Sequence, residues 1–178
     1  MFPELTAEAK NTFNTTVKLT LSESVKVTHP ITGEKIILRL ESDTAHHILF
    51  PEKIRRFKGG KMIEEIYGWH HDYIGHLEKT GKISFVKQTP GPYKTYFVEG
   101  FIIDGKAFDS KKSFFPKIMS QQTIINNIWD ALKNPKKINV FPNGDLRIEG
   151  IGKSNIEIVC FLNKEGNITT AYPVIEKV

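Results

Sequence analysis

The chain has 178 residues, a formal net charge of +5 from 25 Lys and Arg against 20 Asp and Glu, and 39% hydrophobic residues. That length suits one globular domain, or one domain with a small N-terminal appendage, and the composition excludes collagen-like, low-complexity and wholly disordered chains. No apolar run reaches the roughly 18 residues of a membrane-spanning helix, and the single cysteine, Cys160, excludes an internal disulfide and a thiolate zinc site. The basic balance favours polyanionic partners such as nucleic acid, although +5 is also ordinary solubility charge. Met1-Phe2-Pro3-Glu4-Leu5-Thr6 has no basic or apolar stretch of the export-signal type. The expectation is a protein that stays inside its cell, or a piece of a longer exported chain.

In chain order, a short helix or arm is followed by β-structure. Thr15 to Leu21 alternates through Val17, Leu19 and Leu21; Val25 and Val27 continue the pattern, His29–Gly33 reads as a turn, and Ile36 to Leu40 as a strand. Asp43 to Glu78 reads as helical with breaks at Pro51 and Gly59-Gly60, because Met62, Ile63, Ile66 and Tyr67 recur at helical spacing. A further helix is expected over His70 to Lys79, then strands at Ile83–Lys87 and Tyr93–Ile103, a turn at Asp104-Gly105, and a strand that becomes a loop through Ser110, Lys111 and Lys112. Ser120 can cap a helix with the apolar stripe Ile124, Ile125, Ile128, Trp129 and Leu132. Ile138–Phe141 and Asp145–Glu149 flank Pro142-Asn143-Gly144, a hairpin signal, and Asn155–Leu162 and Ile168–Val174 complete an antiparallel sheet. The fold class is therefore α+β: a helical N-terminal part followed by an antiparallel β-sheet with a packed helix.

Five of the six histidines fall between positions 46 and 76: His46-His47, His70-His71 and His76. Three readings compete. His71-Asp72 is the pair with which HD-type phosphohydrolases bind metal, but those enzymes are helical throughout, whereas the second half of this chain is mostly strand. A structural role suits His29 and His76. In the third reading, two histidines form an acid–base pair for RNA cleavage. When the 2′-hydroxyl is the nucleophile, the reaction needs a base, an acid and a cation, and no metal.

Four segments, in order, resemble the bacterial EndoU endoribonuclease family: His47-Ile48-Leu49-Phe50, Gly68-Trp69-His70-His71-Asp72-Tyr73-Ile74, Lys112-Ser113-Phe114-Phe115-Pro116 with Ser120, and Gly166-Asn167-Ile168-Thr169-Thr170-Ala171-Tyr172-Pro173. The resemblance covers about residues 45 to 175, which divides the chain into an N-terminal β-containing extension (1–44) and a nuclease domain (45–178). The chain departs from the family at Pro51, where a Gly is usual, at Met119, where a Trp is usual, and in the 23-residue separation of His47 from His70, which implies an inserted helix or loop.

The resemblance implies an endoribonuclease that leaves 2′,3′-cyclic phosphate and 5′-hydroxyl ends, often at uridines. His70 would be the base, with His71 the alternative from the alignment on Gly75, His47 the acid and Lys112 the stabiliser of the phosphorane. Thr170 and Tyr172 would hold base and ribose, with Ser113 and His71 as substrate contacts. No metal or other cofactor is implied. Bacterial members are often toxin domains of larger secreted effectors, so RNA (tRNA is plausible) and a cognate immunity protein are the expected partners, and the target-cell cytoplasm the place of action. The rival reading is a non-catalytic RNA- or protein-binding module on the same fold.

Read without the resemblance, Tyr172 is a half-buried sheet aromatic, and Lys111-Lys112 is a solvated loop that the Phe114-Phe115-Pro116 anchor would position. Strand alternation puts Ile168, Thr170 and Tyr172 on one face and Thr169 and Ala171 on the other. The basic run Lys53, Arg55, Arg56, Lys58 and Lys61 is a solvated face unless the fold brings it beside the site, where it would track an RNA backbone. Cys160 is expected in the core.

Overall fold

In the computed structural model, residues 19–81 and 83–175 are described. The expected strand from Thr15 lies in part outside them, and Leu19 and Leu21 are in irregular backbone packed against the core. The first hairpin pairs β1 (Lys26–Thr28) with β2 (Lys35–Ile37). Its turn is tied by His29, whose Nδ1 accepts from the backbone amides of Ile31 and Thr32, the structural role expected of this residue.

Helix α1 (Ser42–Leu49) is followed at once by a hairpin of β3 (Pro51–Lys58) and β4 (Lys61–Gly68). The helical reading of this segment is thus corrected. Positions i and i+4 share a face in a strand as well as in a helix, so the spacing of Met62 and Ile66 does not discriminate. What decides is Gly59-Gly60: both have positive φ (60° and 77°), the backbone of a two-residue hairpin turn. Beyond Gly68, the expected helix over 70–79 shrinks to a 3₁₀ turn (Tyr73–Gly75) and one turn of helix, α2 (His76–Lys79).

A three-stranded antiparallel sheet follows: β5 (Ile83–Pro90), β6 (Tyr96–Ile103) and β7 (Lys106–Phe114), in the order β5-β6-β7. The segment read as a loop at Ser110–Lys112 is part of β7, with Lys112 opposite Val98. Helix α3 (Gln121–Lys133) begins where expected, with Ser120 Oγ accepting from the Thr123 amide at 3.1 Å. The last sheet runs β11-β10-β9-β8, from β8 (Pro135–Val140), β9 (Leu146–Ile151), β10 (Glu157–Leu162) and β11 (Ile168–Pro173).

Two cores result. The larger packs α1, α3 and the β1–β2 hairpin on the four-stranded sheet, through Ile48, Leu49, Ile124, Ile128, Ile148 and Ile158 among others. Val25, Val27, Leu38 and Leu40 belong to this core, so the described part of the N-terminal extension is built into it. Cys160 is fully buried there, and burial pushes its thiol up to about 12. The smaller core is aromatic: Trp69, Tyr96, Phe101 and Phe114 pack on the three-stranded sheet. Among the described residues no helix is long and apolar enough to cross a membrane.

Candidate active site

The 22 positions between His47 and His70 are closed by the β3–β4 hairpin, which leaves and returns at one place. Pro51 pairs with Gly68 at its base. The Trp69 amide then donates to the His47 carbonyl at 2.9 Å, and the His70 amide to the Ile48 carbonyl at 2.7 Å. The hairpin therefore adds length without separating the two histidines.

His70 is held from three sides. Its carbonyl accepts from the Phe115 amide at 2.8 Å, and its ring lies 5.0 Å from that of Tyr172. Its Nδ1 sits 2.8 Å from the Ser113 carbonyl oxygen. A carbonyl only accepts, so Nδ1 carries the proton and Nε2 keeps its lone pair in the neutral ring. Burial, reinforced by the positive charge of Lys112, pushes the imidazole down to about 3, against the raising effect of the Ser113 bond. His70 is thus a neutral, tautomer-fixed imidazole near pH 7.

His47 lies in the last turn of α1, with its ring 4.6 Å from that of Tyr67. Burial lowers its proton affinity; Glu52 opposes this, and Lys112 and His46 add to it. Its neighbour His46 faces away, 5.0 Å from the Phe50 ring. Lys112 stands on β7 ahead of the fully buried Phe114 and Phe115, so strand pairing and packing position it. Burial lowers its ammonium to about 8, with Glu65 working the other way.

Ser113, next on β7, donates its hydroxyl to the Pro173 carbonyl at 2.6 Å, which ties β7 to β11. On β11 the simple alternation fails. Phe161 faces Thr170 but Leu162 faces Ile168, a bulge at Thr169. Ile168 thereby turns into the core with Ala171, while Thr170 and Tyr172 face the site together.

These groups meet in one open cleft of about 420 Å³, lined by His47, His70, Lys112, Ser113, Thr170 and Tyr172. Its walls come from α1, β4 and both of the larger sheets. His71 does not line it. That residue is 2% exposed, stands beside Tyr73 and bonds the Met119 backbone, and burial lowers it to about 4. Asp72 is used by the backbone: its carboxylate oxygens accept from the Leu77 and Glu78 amides at 2.9 and 3.2 Å, starting α2. Among the described residues no three His, Cys, Asp or Glu side chains converge as a metal site.

The cleft also holds residues that the sequence did not single out for it. Tyr67 and Lys111 line it, as does Arg147, which pairs with Glu149 at 2.8 Å and lies 5.8 Å from the Phe161 ring. Arg147 sits on a strand with no motif around it, and only sheet pairing carries it to the site. With Lys111 and Lys112 it makes the cleft cationic.

A neutral imidazole with a free lone pair, a second imidazole and several cations in one cleft can move protons beside an anion. Proton transfer beside a phosphodiester is the work of a nuclease. The family model of the bacterial EndoU nuclease matches residues 42–175, and the chain belongs to that family. It is accordingly an enzyme of the endoribonuclease type. Comparison with curated proteins and with solved structures gives no significant match.

Proposed function

We propose that the chain cleaves RNA by attack of the substrate's own 2′-hydroxyl. His70 takes the 2′-hydroxyl proton at Nε2, O2′ attacks phosphorus, and His47 protonates the departing O5′. The products are a 2′,3′-cyclic phosphate and a 5′-hydroxyl. Lys112 stabilises the charge that builds on the phosphorane, and Thr170 and Tyr172 hold the base and ribose. The observation that carries this reading is the His70–Ser113 bond at 2.8 Å, because it leaves Nε2 unprotonated beside the ammonium of Lys112. The proton affinity of His47, lowered by burial, rises when a phosphodiester anion binds beside it. The proton inventory is complete without a metal.

Ser113 supports the site through its carbonyl and its bond to Pro173 rather than by touching substrate. The resemblance supports the wider role: the toxin domain of a larger secreted effector, delivered to a target-cell cytoplasm, with tRNA a plausible substrate and an immunity protein as inhibitor.

The test is an RNA oligonucleotide with one 2′-deoxy nucleotide at the cleavage site, treated with EDTA-dialysed protein. Cutting should stop at that position alone, and the ends of the unmodified substrate should be cyclic phosphate and 5′-hydroxyl. Cleavage past the deoxy position, a 5′-phosphate end, or loss of activity with EDTA would overturn the mechanism. No cleavage of any RNA would favour a binding module.

A further inference from the structure

We infer that the β3–β4 hairpin is an RNA-gripping arm whose tip, with Lys58, Lys61 and Phe57, binds substrate away from the scissile phosphate. The inference deepens the ribonuclease reading above and rests on it. The hairpin is rooted in the active site, since its last residue, Gly68, and the preceding Tyr67 line the cleft. From that root eight residue pairs run to the turn, roughly 25 Å at about 3.3 Å per residue. That is several nucleotides of RNA backbone.

The charge on the arm changes along its length. Midway along the arm, Glu64 pairs with Arg55 at 3.3 Å and with Lys106. At the tip, Lys58 and Lys61 stand directly opposite each other, both exposed, and neither has an acidic partner among the described residues. Like charges facing across a strand pair destabilise it, so this pairing suits a polyanionic ligand better than an isolated hairpin. The next pair toward the root is Phe57 opposite Met62, which are 71% and 55% exposed. Two cations beside an exposed aromatic ring match the two surfaces of RNA: phosphates for the lysines and an unstacked base for Phe57. An acidic protein would also meet the lysines, but the continuity of the arm with the cleft favours the substrate.

The experiment measures binding and cleavage separately. Binding is followed by fluorescence anisotropy with a 2′-O-methyl RNA hairpin, which cannot undergo the proposed attack. K58Q/K61Q should weaken it by about tenfold at low salt and flatten the slope of log affinity against log salt by about 1.5, as expected for two lost phosphate contacts. F57S should weaken binding with the slope unchanged. K58E should weaken binding yet raise or keep the melting temperature, because it turns the opposed lysines into an ion pair; a merely structural role would move both the same way. Cleavage of a dinucleotide, too short to reach the tip, should keep its rate in all variants. Unchanged affinity and slope in K58Q/K61Q would overturn the arm and leave the tip to a protein partner. If wild-type protein binds RNA and the variants bind it less, but no RNA is cut, the arm stands and the cleavage reading fails.

Discussion

Gly68 lies against the main chain of His47 so closely that a β-carbon there would overlap the His47 carbonyl oxygen and crowd its Nδ1. The same glycine has φ +70°, which side chains resist. The insertion between the two histidines can close at this spot because the residue carries no side chain.

Gly68→Ala should therefore displace His47. The expected outcome is a loss of RNA cleavage of about 10²-fold with a stability cost of roughly 2–4 kcal/mol. Gly60→Ala is the control. It has φ +77° but nothing within 4 Å of an added β-carbon, so it should cost about 1 kcal/mol of strain and leave dinucleotide cleavage unchanged. Melting curves and single-turnover cleavage separate the two.

His70→Ala and Lys112→Ala should each lower cleavage by about 10²-fold or more, the usual scale of a positioned acid–base or charge-stabilising group. Wild-type rates in either folded variant would remove that residue from the mechanism. His71→Gln should stay within about threefold of wild type, since its ring is outside the cleft. A large loss there with normal melting would move the base from His70 to His71.

Cleavage should depend on pH with an acidic bias. His70, lowered to about 3, is available as base across the whole range above that. His47 must be protonated to act as acid, and its proton affinity is below the ordinary value of 6.5. Lys112 must be charged, and it loses its proton near about 8. The rate kcat/KM should thus fall as pH rises, first through the His47 titration and again through about 8. Lys112→Arg should remove the second decline while keeping the first. A rate that climbs between pH 6 and 9 would contradict the assignments.

Stability should move the other way at low pH. His70 and His71 are neutral in the fold, lowered to about 3 and about 4, but bind protons near 6.5 when unfolded. Between those values the unfolded chain holds more protons, so stability rises with pH and is lost as pH falls below 6.5. Melting temperature should drop steadily from pH 7 to pH 4, and His71→Gln should flatten that slope. A pH-independent melt over this range would show that the two rings are not buried neutral.

Ser113→Ala deletes the bond that ties β7 to the Pro173 carbonyl but keeps the Ser113 carbonyl that holds His70. The expected loss is about 1–2 kcal/mol of stability with cleavage reduced less than tenfold. A loss as large as that of His70→Ala, with the melt unchanged, would instead make the hydroxyl a substrate contact.

The elements legible in the residues alone are those whose signals are local: the Ser120 cap and apolar stripe of α3, the Asn143-Gly144 turn, the alternating strands around Cys160, and the order of the motifs that carry His47, His70, Lys112 and Tyr172. The rest was settled in the folded chain, mostly by partners distant in sequence. The spacing of Met62 and Ile66 fits helix and strand alike, and the Gly59-Gly60 turn, with the pairing to β3 that it allows, chose between them. A one-residue bulge at Thr169 changed which neighbours share the face of Tyr172. Strand pairing carried Arg147 to the cleft with no local motif to mark it. His70 faces the cleft and His71 does not, and the tautomer of His70 is set by a carbonyl 43 residues away, at Ser113, because the ring proton goes to the nitrogen that faces an acceptor and the chain presents that acceptor only when folded.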